Sequence, residues 1–354
     1  AGHGTNTMGI MCGLSPAGDT IGVAIEAQWI AARAIDIGAD WPVEIEAFQW
    51  ASDPDGNPNT IEDVPDAVNN SWGITTASFG CSPLYWRMID NLEAAGAIVI
   101  FAAGNEGPGA QSIRNPANRA TTPYNCFAVG SVNSSNLISG FSSRGPSDCD
   151  GISIKPEVVA PGELIRTSNR FGGYSLFSGT SASSPHVTGA VAVLRQKNPN
   201  ATPDEIKRAL LVTATDLGIA GEDNTYGKGI INVAKALDSV PAVTVPRIFT
   251  TLIDLLDNKN NTPDPGDTLT VYVTLRNTGT LATAVNAILS SNTALAAVRQ
   301  DSAFYSDIAK EGIALNFSQP YQFIVSLFAV QGQSLNFNLQ IKSSTDQNFD
   351  TIIF

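Results

Sequence analysis

Thirteen residues constrain this chain more than any others: Phe177-Ser-Gly-Thr-Ser-Ala-Ser-Ser-Pro-His-Val-Thr-Gly189. Small residues crowd the first half, from Ser178 to Ser184. Val187, Ala190, Val191, Val193 and Leu194 follow at the mixed three-and-four spacing of a buried helix. Gly179 permits a tight turn, and Pro185 belongs near a helix start, where an amide proton has no intrahelical partner anyway. Ser181 is thereby placed at or just before a helix N-terminus, whose oriented N–H groups favour developing negative charge. That is a seat for a nucleophilic hydroxyl. Serine is equally a preferred N-cap, and on these residues alone both readings stand.

A second stretch supplies the sheet. Pro83 to Ala95 carries Leu84, Met88, Leu92 and Ala95 at helical spacing and is closed by Gly96. The apolar run Ala97–Ala102 is a buried strand by length, and it delivers Ala103-Gly104-Asn105-Glu106-Gly-Pro108. A helix, a buried strand and a Gly/Asn loop are how a parallel α/β sheet presents residues at its carboxyl edge. Asp66–Ser71 reads as another strand, ending in Ser71-Trp72-Gly73. Pro42–Ala51 is a helix with Val43, Ala47 and Trp50 at helical spacing, and Gly22-Val-Ala followed by Gln28–Ile35 reads as a turn and then a strand. Asp53-Pro-Asp-Gly-Asn-Pro58 is a loop. Thr202-Pro-Asp-Glu205 is a capping box.

The chain has two histidines, His3 and His186. If the Ser181 hydroxyl is to be activated near neutral pH, one of them is the base. His186 lies five residues beyond Ser181 on the same helix, and about 100° per residue turns it away from the serine. Packing is its role, which leaves His3.

These motifs resemble the subtilisin-like serine proteases. The likeness rests on His3-Gly-Thr5, Ala103-Gly104-Asn105 and Gly179-Thr-Ser181 followed by Pro185 and Gly189, in that order. Phe127–Gly130, Phe141–Pro146 and Lys155–Gly162 extend it. Asn69-Asn-Ser71-Trp72-Gly73 with Ala47-Phe-Gln-Trp50 resembles the bacillopeptidase F-like branch. Asn6 stands where the family often has a second histidine. The resemblance implies a secreted serine endopeptidase with His3 as base, Ser181 as nucleophile and Asn105 as the side-chain donor to the oxyanion. Ser71, Trp72, Gly73 and Gly104 would form the walls that bind a protein or peptide substrate. Taken alone, Asn105 is also an ordinary turn asparagine and Trp72 a core aromatic. An α/β-hydrolase would need Gly-x-Ser-x-Gly with its histidine after the serine, and neither holds here.

One member of the triad is not in these residues. The family order is Asp, His, Ser, so with histidine at position 3 the aspartate and its strand are expected upstream of Ala1. Asp19-Thr-Ile-Gly22 follows the histidine and carries one residue too many. The expectation is an N-terminally truncated peptidase domain, inactive by itself, since loss of that carboxylate's function costs ~10⁴ in turnover. The alternative is an inactive protease-derived surface or binding protein that has lost the acid.

The remaining composition narrows the partners. A net charge of −13 argues against nucleic acid and anionic membranes, and no apolar run approaches the ~20 residues of a membrane span. A secreted or cell-surface bacterial location is expected from the resemblance. The four cysteines, Cys12, Cys81, Cys126 and Cys149, are too widely spaced for zinc. Cys81 and Cys126 flank the segment around Asn105 and are the favoured disulfide, with free thiols the competing reading. No cofactor is required for the chemistry. Asp254, Asp257, Asn258, Asn260 and Asp264 leave room for a structural calcium ion but lack its regular spacing, so a solvated acidic loop is expected.

Composition changes after residue 240. Pro241 and Pro246 bracket a linker over 241–247. Beyond it Leu269/Val271/Val273/Leu275, Phe323/Val325/Leu327 and Leu335/Phe337/Leu339/Ile341 alternate with polar residues. The expectation is a parallel-sheet subtilisin-like three-layer domain over 1–240 and a small antiparallel β-sandwich over 248–354. Asp264-Pro-Gly-Asp267 and the Asn277-Thr-Gly279 turn make the latter resemble immunoglobulin-like modules, a means of attachment to a cell surface or substrate.

Overall fold

The computed structural model describes residues 2–34, 42–57, 63–75, 80–257, 259, 262–330, 332–345 and 347–354. The chain divides into two compact units, Ala1–Pro241 and Ala242–Phe354.

The first unit is built on a parallel sheet. Strands β1 (Ala67–Asn70), β2 (Ile98–Ala102), β3 (Phe127–Val132) and β4 (Val158–Pro161) lie side by side in that order. Every residue of β2 and β3 is buried, which is why these strands read as continuous apolar runs. Their period of two divides the core. Ile98, Ile100, Phe127 and Val129 pack with Val187, Ala190, Val191 and Leu194, whereas Val99, Phe101 and Ala128 pack with Phe48, Ile89 and Leu92. Helices therefore cover both faces: α4 (Thr180–Lys197) on one, α2 (Pro42–Ala51) and α3 (Trp86–Ala94) on the other. Helix α1 (His3–Cys12) packs against α4 and the hairpin of β5 (Ile165–Ser168) and β6 (Tyr174–Phe177). A Cβ on Gly189 would lie 2.7 Å from Val23 Cβ, so this glycine lets the chain after α1 approach α4. Helices α5 (Pro203–Thr213) and α6 (Val233–Ser239) complete the unit. The Thr202 capping box is formed: Thr202 Oγ1 accepts from Glu205 N–H at 3.2 Å, and Glu205 Oε2 accepts from Thr202 N–H at 2.8 Å.

Several local expectations are corrected. Helix α3 starts at Trp86, and its buried face is Ile89 and Leu92 with the preceding Tyr85, while Leu84 is exposed. On α2 the buried residues are Phe48 and Ala51; Val43, Ala47 and Trp50 instead face Ala31–Arg33 across a shallow cavity of about 260 Å³. Residues 28–34 form no ladder, and Trp29 and Ile30 are exposed; Ile35 lies outside the described residues. Apolar content alone does not make a strand without a neighbour to accept its hydrogen bonds.

The disulfide joins Cys81 to Cys149, not to Cys126. Cys126 is fully buried at the head of β3, where burial pushes its thiol up to about 12. The loops of Cys81 and Cys149 are instead brought together by Asn118, whose Nδ2 donates to Gly80 O at 3.3 Å and Asp148 Oδ1 at 2.6 Å.

The second unit holds two antiparallel sheets. One contains β10 (Ala296–Gln300), β13 (Tyr321–Val325), β8 (Thr268–Asn277) and β12 (Ile313–Leu315), with β7 (Ile248–Leu256) also on β8; the other runs β11 (Ser302–Ile308), β9 (Ala282–Ser291), β14 (Asn336–Lys342), β15 (Gln347–Ile353). Leu269, Val271, Val273 and Leu275 from one sheet share a core with Val285, Ala287, Leu289, Phe337 and Leu339 from the other, giving a β-sandwich. Leu327, expected to continue β13, is exposed because the strand ends at Val325 and turns, with Ala329 N–H donating to Ser326 O at 3.1 Å.

Two buried ion pairs stiffen the first unit. Lys155 pairs with Glu157, whose Oε2 also accepts Ala128 N–H at 2.7 Å and so ties the approach of β4 to β3. Lys207 pairs with Glu93, and its Nζ donates to Tyr124 O at 2.7 Å; this lysine side chain is 0% exposed. Burial pushes the Glu93 carboxyl up, with Lys207 opposing it. Replacing Lys207 by Met strands that carboxyl in the core and is expected to lower unfolding stability by about 3–5 kcal/mol in urea titration. Peptide mapping without reductant should recover a Cys81–Cys149 cross-link and unlinked Cys12 and Cys126.

Candidate active site

The carboxyl edge of the sheet and the start of α4 bring three chain segments together. The first turn of α4 carries Thr180 and Ser181 directly after Gly179, which has φ 143°. Pro185 sits in the second turn rather than the first, and its missing N–H deprives the Ser181 carbonyl of its i+4 donor. Ser71, just beyond β1, replaces that donor: its Oγ donates to Ser181 O at 3.0 Å, and in turn Ser181 Oγ donates to Ser71 O at 3.2 Å. Asn69 Nδ2 donates to Ser71 Oγ at 2.9 Å, and Asn69 Oδ1 accepts Ser184 Oγ–H at 2.7 Å. β1 and α4 are thus joined by reciprocal bonds around Ser181.

Asn105, on the loop after β2, is held with equal definition. Its Oδ1 accepts both Thr180 N–H at 2.9 Å and Thr180 Oγ–H at 3.1 Å. With the carbonyl so engaged, its NH₂ is the group left to face outward. A Cβ built on Gly179 would stand 3.5 Å from Asn105 Nδ2 and 3.6 Å from the Ser181 nitrogen. An amide donor and a helix N-terminal N–H therefore border one small volume, beside the Ser181 hydroxyl. Gly104 N–H donates to Thr180 Oγ1 at 3.1 Å and keeps this loop against the helix. Such a pair of donors can hold an oxygen that gains negative charge.

His3 opens α1, and its ring meets the Phe177 ring edge-on at 5.4 Å between centroids. The contact places the imidazole beside the segment leading into Ser181, while the Ser181 hydroxyl bonds to Ser71 O and not to the ring. The residue is exposed, yet partial burial of the ring lowers its pKa from the ordinary histidine value. His186 Nδ1 lies 2.8 Å from Ala182 O within α4, a packing role.

The remaining residues fall into two groups. Gly73 and Gly104 lie on the strips flanking this volume, linked through Arg114, which was not anticipated from the sequence. The Trp72 side chain belongs to the core. Its ring, half-buried, packs edge-on against Tyr85 at 5.4 Å and Phe101 at 5.8 Å, with Nε1 donating to Asn70 Oδ1 at 2.9 Å. In the acidic loop of the second unit Lys259 pairs with Asp267; Asn258 and Asn260 lie outside the described residues. Among the described residues the carboxylates that converge are Asp53, Asp55 and Asp63, within 4.8 Å of one another after α2; Asp63 Oδ2 already accepts Asp55 N–H at 2.8 Å.

The chain is similar to known proteins. A subtilase-family model matches residues 1–229. This chain belongs to the subtilase family. It is 39% identical to bacillopeptidase F of Bacillus subtilis (strain 168) over 68% of its own length, and 34% identical to subtilisin E of the same strain over 66%. It spans 17% of the former and 55% of the latter. Among solved structures, a psychrophilic protease named S41 superposes with a TM-score of 0.56 at 30% identity, covering 66% of this chain and 78% of that one. The prenylagaramide maturation protease PagA shares the fold at 22% identity and a TM-score of 0.55, over 68% and 84% of the two chains. The first unit is a subtilisin-like α/β domain, as the motif order implied.

For the His3 ring of this subtilase unit, NMR titration of the imidazole C–H resonances should give a midpoint below the ordinary ~6.5. A midpoint above that value would show that a carboxylate, and not desolvation, governs the ring.

Proposed function

We propose that this subtilase serves as a secreted serine endopeptidase working through a Ser-His-Asp triad and an acyl-enzyme. Ser181 Oγ attacks the scissile carbonyl carbon while His3 takes its proton. The carbonyl oxygen becomes an oxyanion, held by Asn105 Nδ2–H and the Ser181 backbone N–H. Collapse of this intermediate breaks the C–N bond, and His3 returns the proton to the leaving amine. Water, deprotonated by the same imidazole, then releases the acyl group. A triad of this kind also needs a carboxylate to orient His3. Without it the residues described here would turn over ~10⁴ more slowly. The immunoglobulin-like sandwich would hold the enzyme at a cell surface or a substrate.

The observation that supports this reading most is the double engagement of Asn105 Oδ1 by Thr180. It leaves an amide N–H and the Ser181 N–H beside the same point, next to a hydroxyl. A turn asparagine needs no such partner.

In the full-length protein a fluorophosphonate probe should label Ser181 and no other residue. Ser181→Ala should abolish both labelling and casein cleavage; retained cleavage would displace Ser181 as nucleophile, and an unreactive protein would favour a binding role. Asn105→Ala should lower kcat by ~10²–10³, the loss known for such a donor in subtilisin itself, with KM little changed.

A further inference from the structure

Arg114 occupies a position that neither motif nor mechanism explains. Its backbone N–H donates to Ala103 O at 2.9 Å, and the next residue forms a two-bond bridge with Ile74, at 2.8 and 2.9 Å. The segment 114–115 therefore spans the two strips that flank the Ser181 volume, residues 73–74 on one side and 103–104 on the other. The arginine stem fills the space between two glycines. A Cβ on Gly73 would fall 2.7 Å from Arg114 Cβ, and one on Gly104 would fall 2.9 Å from Arg114 Cγ.

The head group is fixed too. Arg114 Nη1 donates to Gly73 O at 3.3 Å, and Nε donates to Glu106 Oε2 at 2.8 Å. Glu106 Oε2 also accepts the Asn105 N–H at 2.9 Å and Ser143 Oγ–H at 3.3 Å. The two side chains are 29% and 33% exposed, so the pair is partly open to solvent and not sealed within the core.

We infer that Arg114 is a specificity-determining residue that makes the slot beside Ser181 short, so that this enzyme cleaves after small uncharged residues. The inference rests on the endopeptidase reading above. A carbonyl carbon attacked by Ser181 is one bond, ~1.5 Å, from its own Cα. We place that residue's side chain between the two flanking strips, which are bonded to the Thr180–Ser181 turn through Ser71 O and Gly104 N–H. Alanine or serine fits above the arginine stem. Phenylalanine or leucine would have to displace it, breaking the pair with Glu106 that also anchors the Asn105 loop. Lysine would meet the guanidinium, and aspartate would have to compete with Glu106 for it.

The test is a fluorogenic tetrapeptide series with the full-length protein, varying only the residue before the scissile bond among Ala, Phe, Asp and Lys. For the wild type kcat/KM should favour Ala over Phe by about tenfold or more; Arg114→Gly should shift the Phe/Ala ratio by about 10–200-fold toward Phe. Glu106→Gln should raise cleavage after Asp relative to Ala, because it frees the guanidinium. A wild type that prefers Phe, or a ratio unmoved in Arg114→Gly, overturns the inference. Should the glycine variant fail to fold, the wild-type preference alone decides. If no peptide is cleaved and Ser181 resists the fluorophosphonate, the endopeptidase reading has failed instead. The slot is then read by calorimetry with the Ala- and Phe-terminated peptide acids, where equal affinity would also overturn it.

Discussion

The first unit depends on how one helix begins. A proline in the second turn of α4 would ordinarily cost that turn a hydrogen bond and leave the Ser181 carbonyl unpaired inside the protein. Ser71 makes good the loss with its hydroxyl and receives the Ser181 hydroxyl in return. Thr180 binds the Asn105 carbonyl in the same turn. Two segments far apart in sequence are registered by these bonds to one helical turn. The parallel sheet determines which segments they are, because α4 packs across all four strands and its N-terminus meets the ends of β1 and β2.

Rigidity at that edge comes from below. Lys155 and Glu157 lie in a motif with no chemistry of its own to perform, yet they join β4 to its neighbour β3. A buried ion pair is a poor source of net stability, since desolvation opposes the Coulomb gain. It does penalise every alternative register, because a shifted strand would leave one charge stranded. The same reasoning applies to Lys207, which reaches Glu93 and the Tyr124 carbonyl from α5. Burial raises the Glu157 carboxyl pKa, and the adjacent ammonium is what keeps the anion tenable there.

Legibility in the sequence followed the strength of the local signal. The apolar run Ile98–Ala102, the Thr202 capping box and the alternation of Leu269 to Leu275 each state their structure within a few residues. Leu84, Leu327 and the 28–34 stretch carry the right composition but lack the partner that would complete a helix turn or a ladder, and partners are non-local. Cys126 illustrates the limit differently: nearness in sequence to the Asn105 segment suggested pairing, but its position at the head of β3 is a tertiary fact. At the candidate site, Ser181 and Asn105 were readable because glycines beside them mark tight backbone. Trp72 was ambiguous until three aromatic rings surrounded it.

Arg114 was invisible for a related reason. A single arginine among polar residues has no periodicity, and its meaning lies in the two glycines it separates, Gly73 and Gly104, which are remote in sequence. Each glycine alone reads as backbone freedom, and Gly104, at φ 118°, does need it. Together they read as space. A Cβ at either position would exclude the arginine stem, so the glycines and the arginine form one steric unit. Glu106 completes it electrostatically while holding the amide of Asn105. On the proposed mechanism the slot and the Asn105 donor would be coupled through this one carboxylate. A side chain long enough to push Arg114 aside would also loosen the loop that presents Asn105, so poor fit would reach the chemical step as well as binding. Discrimination by such coupling would fall on kcat as well as on KM, because on the proposed mechanism the misplaced donor acts on the transition state.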